Sequence, residues 1–86
     1  EFEVETAANV EEARLLLGEA LLAAGRNDEA RVEMLALVRE RPEESAAHRL
    51  LGEAHLRDAQ LEPARASLRR AVELDPDDDA ARDLLL

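Results

Sequence analysis

Cysteine, lysine, tryptophan and tyrosine are all missing from this chain, and phenylalanine occurs once. The lack of cysteine removes disulfides, thiolate nucleophiles and thiolate metal sites, and with them the class of disulfide-stapled secreted domains. The compartment otherwise stays open, with the cytoplasm favoured. The lack of aromatic residues means that any core is assembled from leucine, alanine and valine, many small contacts in place of a few large anchors. Three glycines and three prolines in 86 residues leave little to interrupt regular structure. No apolar run reaches the roughly 18–20 residues that span a bilayer. The first positions carry Glu1, Glu3 and Glu5, which is unlike a signal or transit peptide. The chain does not begin with Met and reads as a piece of a longer protein.

What is present is acidic and helix-forming. Twenty-one acidic residues against 11 basic ones, every basic one an arginine, set a formal charge of -10. A phosphate backbone is gripped by a basic face, so nucleic acid is excluded as a partner, and so is an anionic membrane surface. Alanine, leucine, glutamate and arginine dominate, all strong helix formers. One small all-α domain follows.

The chain repeats itself. Shifted by 34 residues it aligns Ala13 with Ala47, Leu16 with Leu50, Leu17 with Leu51, Gly18 with Gly52, Glu19 with Glu53, Ala20 with Ala54 and Leu22 with Leu56. Ala30 and Ala64, Arg31 and Arg65, Val38 and Val72, and Pro42 and Pro76 complete eleven identities in the 32 pairs from Glu11 to Pro42. The expected organisation is a leader or degenerate upstream unit over 1–10, unit one over 11–44, unit two over 45–78, and the start of a third unit or a capping helix over 79–86.

Inside each unit the apolar spacing is helical. Val10, Ala13, Leu17, Ala20, Leu21 and Ala24 form the expected buried face of the first helix. Asn9 with Glu12 reads as a capping box opening it, and Gly25 as the residue that ends it. Asn27, Asp28 and Glu29 then place acceptors and negative charge at the next N-terminus. Ala30, Met34, Leu37 and Val38 form the second stripe. Ala47, Leu51, Ala54 and His55, then Ala64, Leu68, Ala71 and Val72, repeat the plan in unit two. Pro42 and Pro76 close the units, and Pro63 suits the first turn of a helix. Helices are expected near 10–24, 28–40, 44–57, 61–74 and 78–86.

These positions resemble the tetratricopeptide repeat, whose pattern runs Trp-x2-Leu-Gly-x2-Tyr, then Ala, a large residue, Ala and Pro. The matching residues are Arg14, Leu17, Gly18, Leu21, Ala30, Met34, Leu37 and Pro42, and then His48, Leu51, Gly52, His55, Ala64, Leu68, Ala71 and Pro76. The aromatic positions are replaced while the small residues and prolines remain. The resemblance implies a right-handed α-α superhelix that works as a non-catalytic protein-binding scaffold. It also implies a concave face, lined here by Leu15, Glu19, Leu22, Arg49, Glu53, Leu56 and Arg57. Members of the family that grip the carboxylate tails of chaperones use lysine and asparagine there. This chain has Glu19 and Glu53 at the asparagine positions and no lysine, so it departs from them. Its groove suits an apolar peptide with basic groups.

Other constellations carry less. Glu19 and Glu53 could be a carboxylate pair for acid–base chemistry, but their equivalent places in the repeat account for them, and no nucleophile or phosphate loop accompanies them. His48 and His55 stand seven apart, unlike a metal pair at i, i+4, and occupy the aromatic positions of the pattern. Asp75, Asp77 and Asp79 have calcium-loop spacing, yet Ala80 and Leu86 fall where glycine and glutamate are required. Those aspartates are expected to charge the N-terminus of the last helix. No catalytic residue, metal or cofactor is assigned. A protein or peptide partner is expected, together with self-association through the end helices around Leu84, Leu85 and Leu86; the alternative is a structural or oligomerising module of a larger multidomain protein.

Overall fold

The computed structural model describes residues 2–85, with side chains from Val10 to Leu85. It contains five α-helices and, among the described residues, no strand. α1 spans Phe2–Ala23, α2 Asn27–Glu40, α3 Ser45–Arg57, α4 Leu61–Leu74 and α5 Asp79–Leu85. Each helix packs on the next, and α1 also reaches α3. α1 with α2 forms unit one, α3 with α4 forms unit two, and α5 stands where a third unit would place its first helix. The all-α helix–turn–helix stack is therefore the expected one, and α2 to α5 fall within a residue or two of their expected bounds.

Two devices repeat in both units. A methyl group built on Gly18 would lie 2.9 Å from the Met34 Sδ, and one on Gly52 would lie 2.7 Å from Leu68 Cγ. Each glycine therefore marks the close approach of the two helices of a unit, against the branched Leu68 and the Ala64 carbonyl at Gly52 and against the flexible end of Met34 at Gly18. The turn inside each unit is also the same. In unit one the Gly25 and Arg26 amides donate to the Leu22 and Leu21 carbonyls at 3.0 and 2.8 Å. In unit two the Ala59 and Gln60 amides donate to Leu56 and His55, both at 2.9 Å. This is a Schellman ending, which needs a left-handed residue. Gly25 supplies it at φ 79°, whereas Ala59 is forced into it at φ 61°.

The core runs between the units. Leu22, Ala30, Met34 and Leu37 of unit one meet Ala47, Leu50, Leu51 and Ala54 of α3, and Leu15, Leu21 and Val38 pack around them. Ala64, Leu68, Ala71 and Ala81 are buried on the far side. Ion pairs staple the helices at their edges: Arg14 to Glu40 at 2.8 Å, Arg41 to Glu11, and Arg31 to Asp58 at 2.5 Å. The Asp58 bond holds the Arg31 guanidinium above its ordinary pKa, against some desolvation.

Three local expectations fail. α1 does not start at a capped Asn9 but runs from Phe2, so Asn9 lies inside a helix. Asparagine costs a helix interior only about 0.7 kcal/mol, and no glycine or proline precedes it to break the run. The expected buried face of α1 is the second failure. Val10, Ala13, Leu17, Ala20 and Ala24 are exposed, while Gly18 and Leu22 are the buried residues and Leu15 is half-buried. Leu21, also of the expected face, is half-buried against the core; α1 carries leucine on both sides, and its packed side is turned away from the rest of the expected face. The third is capping. Arg26, Glu44 and Gln60 precede α2, α3 and α4 without a side-chain cap bond. The Asn27 Oδ1 is buried with no partner, so only Asp28 and Glu29 act there, through charge.

At the C-terminal end Asp78, not Asp79, caps α5, accepting from the Ala81 amide at 3.2 Å. Asp75 accepts from the Asp77 amide at 3.2 Å and closes the preceding turn. Leu84 is exposed and Leu85 half-buried, and Leu86 lies outside the described residues.

Candidate functional site

A depression of about 270 Å³ opens between α1 and α3. Leu22, Ala23 and Leu50 form its apolar part, and Glu19, Arg49, Glu53 and Arg57 surround them. Five of the seven residues expected on the concave face thus converge on one place. Repeat equivalence brings Glu19 and Glu53 there, since both stand at the same point of a first helix and α1 and α3 lie side by side.

Arg49 is the hub. Its Nε lies 3.2 Å from Asp78 Oδ2, at the head of α5. Its two terminal nitrogens stand 3.9 Å from Glu19 and 3.9 Å from Glu53, too far for hydrogen bonds. One guanidinium with about a fifth of its side chain exposed therefore faces three carboxylates from three segments. Arg57 Nη1 donates to the Leu22 carbonyl at 2.5 Å, a second donor to an acceptor that the Gly25 amide also uses. Its other terminal nitrogen is 3.4 Å from Glu53. Glu19, about half exposed, has only the long Arg49 contact among the described residues.

Leu22 lies at the floor, 2% exposed, and belongs to the core as much as to the depression. The two remaining expected residues go elsewhere. Leu15 is half-buried against the core cluster. Leu56 faces a separate hollow of about 140 Å³ with Leu61, Arg65, Leu84 and Leu85. Asp78 is the residue that sequence reasoning missed. Its signal was faint: Arg49 and Asp78 stand at positions where unit one has Leu15 and Glu44, so the pair occurs once and leaves no repeat signature.

The histidines tie down turns. His48 Nε2 donates to the Pro42 carbonyl at 2.8 Å, across the join between units. His55 Nδ1 is 2.7 Å from Gln60 Oε1, across the turn inside unit two. Their partners are local, and no cluster of three or more potential metal ligands occurs among the described residues.

Helix pairs stacked in one direction, with a charged hollow between successive first helices, define a solenoid of the protein-interaction type. A tetratricopeptide repeat family model matches the chain over residues 5–40 and 15–79. The chain belongs to the tetratricopeptide repeat family. Domains of this family generally serve as protein–protein interaction modules and are typically non-catalytic. The match begins at residue 5, inside the segment expected to be a leader or a degenerate upstream unit. No curated protein matches the chain at a significant level.

Proposed function

We propose that the concave face between α1 and α3 holds a segment of a partner protein, an apolar side chain with a basic group beside it. The observation that carries this reading is the state of Glu19. Its carboxylate borders an apolar floor and has only a 3.9 Å approach from Arg49. Arg49 is engaged more closely by Asp78 and Arg57 by a backbone carbonyl, so both cations of the hollow are already committed. An incoming arginine or lysine can take Glu19 and share Glu53 while an apolar neighbour rests on the floor.

The test uses a short peptide with alternating leucine and arginine, titrated against the whole chain and followed by amide shifts. Replacing Glu19 and Glu53 together by glutamine is expected to weaken binding about tenfold, the scale of one charge-assisted bond. Unchanged affinity would move the site off this face. Arg49→Met with Glu53→Gln separates the contributions: loss of α5 amide shifts with peptide affinity retained would assign Arg49 to stapling alone.

A second reading, self-association through the C-terminal end, is favoured by Leu61 and Leu84, exposed at 65% and 36% beside Leu56 and Leu85. Sedimentation at high micromolar concentration decides it, and a monomer mass removes it.

A further inference from the structure

Ala13, Leu16, Leu17 and Ala20 of α1 are the same residue types as Ala47, Leu50, Leu51 and Ala54 of α3, at the same places in the repeat. In α3 this stripe is closed, covered by Leu22, Met34 and Leu37 of unit one. In α1 the same stripe is open, with Leu16 and Leu17 at 58% and 43% exposure. The molecule thus contains one occupied copy of an interface and one vacant copy of half of it. The occupied copy shows what fits: helices that present large apolar side chains at three- and four-residue steps.

Beside the vacant stripe, α2 is more apolar than the fold demands. It has Val32 and Leu35, both exposed, where α4 has Ala66 and Arg69. Between the helices lies a hollow of about 310 Å³, with Leu17, Leu21 and Val32 as its floor and Asp28, Glu29 and Glu33 as its rim. Asp28 and Glu29 are paired within their own helix, to Arg31 at 2.9 Å and to Arg26. Glu33 has no ion-pair partner among the described residues, so the rim remains negative.

A second copy of the chain does not fit this face. Its equivalents of Leu22, Met34 and Leu37 are Leu56, Leu68 and Ala71, and α5 already packs on that side, with Ala81 fully buried. Two such faces laid together would oppose acidic rims on molecules of charge -10. Residues 7–10 are the repeat equivalents of 41–44, and α1 runs through them as continuous helix where a turn precedes α3.

We infer that the outer face of unit one, formed by the α1 stripe and Val32 and Leu35 of α2, docks an amphipathic helix of a partner protein with basic residues flanking its apolar side. This face lies on the side of α1 away from the concave hollow and does not depend on that reading.

The probe is a synthetic helix of about 14 residues, roughly four turns, with leucine and alanine on one side and arginine on its flanks. A matched helix carries glutamate in place of arginine. Titrated into the whole chain, the arginine helix is expected to shift the amides of Leu17, Leu21, Val32 and Glu33. It should bind at least about tenfold more tightly than the glutamate helix. Val32→Asp, at an exposed position, should weaken binding at least about tenfold with the melting temperature unchanged. Glu33→Gln should narrow the preference between the two helices. Absence of saturable binding, shifts confined to Glu19, Arg49 and Glu53, or an unaltered affinity in Val32→Asp would each overturn the inference. A mass that grows with concentration and returns to monomer in Val32→Asp would assign the face to a second copy and overturn it as well.

Discussion

Leu16 and Leu50 occupy the same place in the repeat, in the same local sequence of alanine, two leucines and glycine. Leu50 is 2% exposed and Leu16 is 58% exposed. Unit two is covered on this side by unit one, and unit one has no covering helix among the described residues. The difference teaches that burial in a stacked-repeat protein is a property of the neighbour and not of the unit. In such a chain stability is roughly a sum of unit terms and interface terms. Position in the stack, more than local sequence, then sets what a substitution costs.

The comparison breaks or sharpens at several pairs of equivalent residues. The largest contrast is expected at the leucines themselves. Leu50→Ala should destabilise by about 2–5 kcal/mol, the range for a buried leucine, and Leu16→Ala by about 0.5 kcal/mol or less. Urea unfolding of both variants measures it. A comparable loss at Leu16 would mean that the α1 stripe is covered in solution.

The glycines come next. At Gly52 an added methyl meets the branched Cγ of Leu68 at 2.7 Å and the Ala64 carbonyl oxygen at 3.3 Å. At Gly18 it meets the Sδ and Cε of Met34, the flexible end of an unbranched side chain, at 2.9 Å. Gly52→Ala should cost about 1–3 kcal/mol through overpacking. Gly18→Ala should be near neutral, since Met34 can turn aside and alanine gains about 1 kcal/mol of helix propensity. Equal costs at both sites would show that Met34 is as confined as Leu68.

The turns give a contrast of opposite sign. Ala59 holds a left-handed conformation at φ 61° that costs an L-residue about 1–2 kcal/mol, and Gly25 holds its counterpart without that strain. Ala59→Gly is expected to raise stability by about 1 kcal/mol, and Gly25→Ala to lower it by a similar amount. Thermal melts of the two variants should move in opposite directions. Movement in the same direction would refute the equivalence of the turns.

The smallest effect concerns the join between the units. The Glu43 carboxylate is held below its ordinary pKa, first by its own backbone amide and then by Arg41, whose Nε is 3.0 Å away. A depressed folded-state value contributes stability that is complete above the ordinary value of 4.5 and is lost as pH falls through the lowered one. Glu43 is exposed, so the loss should be slight. A carboxyl titration by NMR should place Glu43 low in the intact chain and only partly restored in Arg41→Ala, because the amide bond remains. Full restoration would reverse the order of the two causes.

How much of this was legible in the sequence depends on the element. The α3 and α4 helices have one apolar side each, α2 keeps Ala30, Met34, Leu37 and Val38 at helical steps despite the exposed Val32 and Leu35, and Pro42, Pro63 and Pro76 mark limits, so spacing located them. α1 did not yield to the same reasoning. Leu15, Leu16, Leu17, Leu21 and Leu22 surround it, and a period cannot choose between two apolar sides. The Asn9–Glu12 pattern was a valid local signal that a continuing helix outweighed. In the hollow between α1 and α3, the meeting of Glu19 and Glu53 was legible because equivalent residues of stacked units are neighbours. The depth of Leu22 and the pairing of Asp78 with Arg49 were not, because each depends on a segment that arrives only when the next unit docks.

The 34-residue period, the helices of each unit and the small residues at their crossings were determined by the sequence alone. A helix closes its hydrogen bonds four residues away, and a repeat carries its own contacts forward, so both are local facts. Tertiary structure alone decided which of two identical apolar stripes would be closed, which leucine would lie at the floor of the hollow, and which carboxylate would hold Arg49. Those outcomes turn on what stands beside a residue, and in a stack only the neighbouring helix settles it.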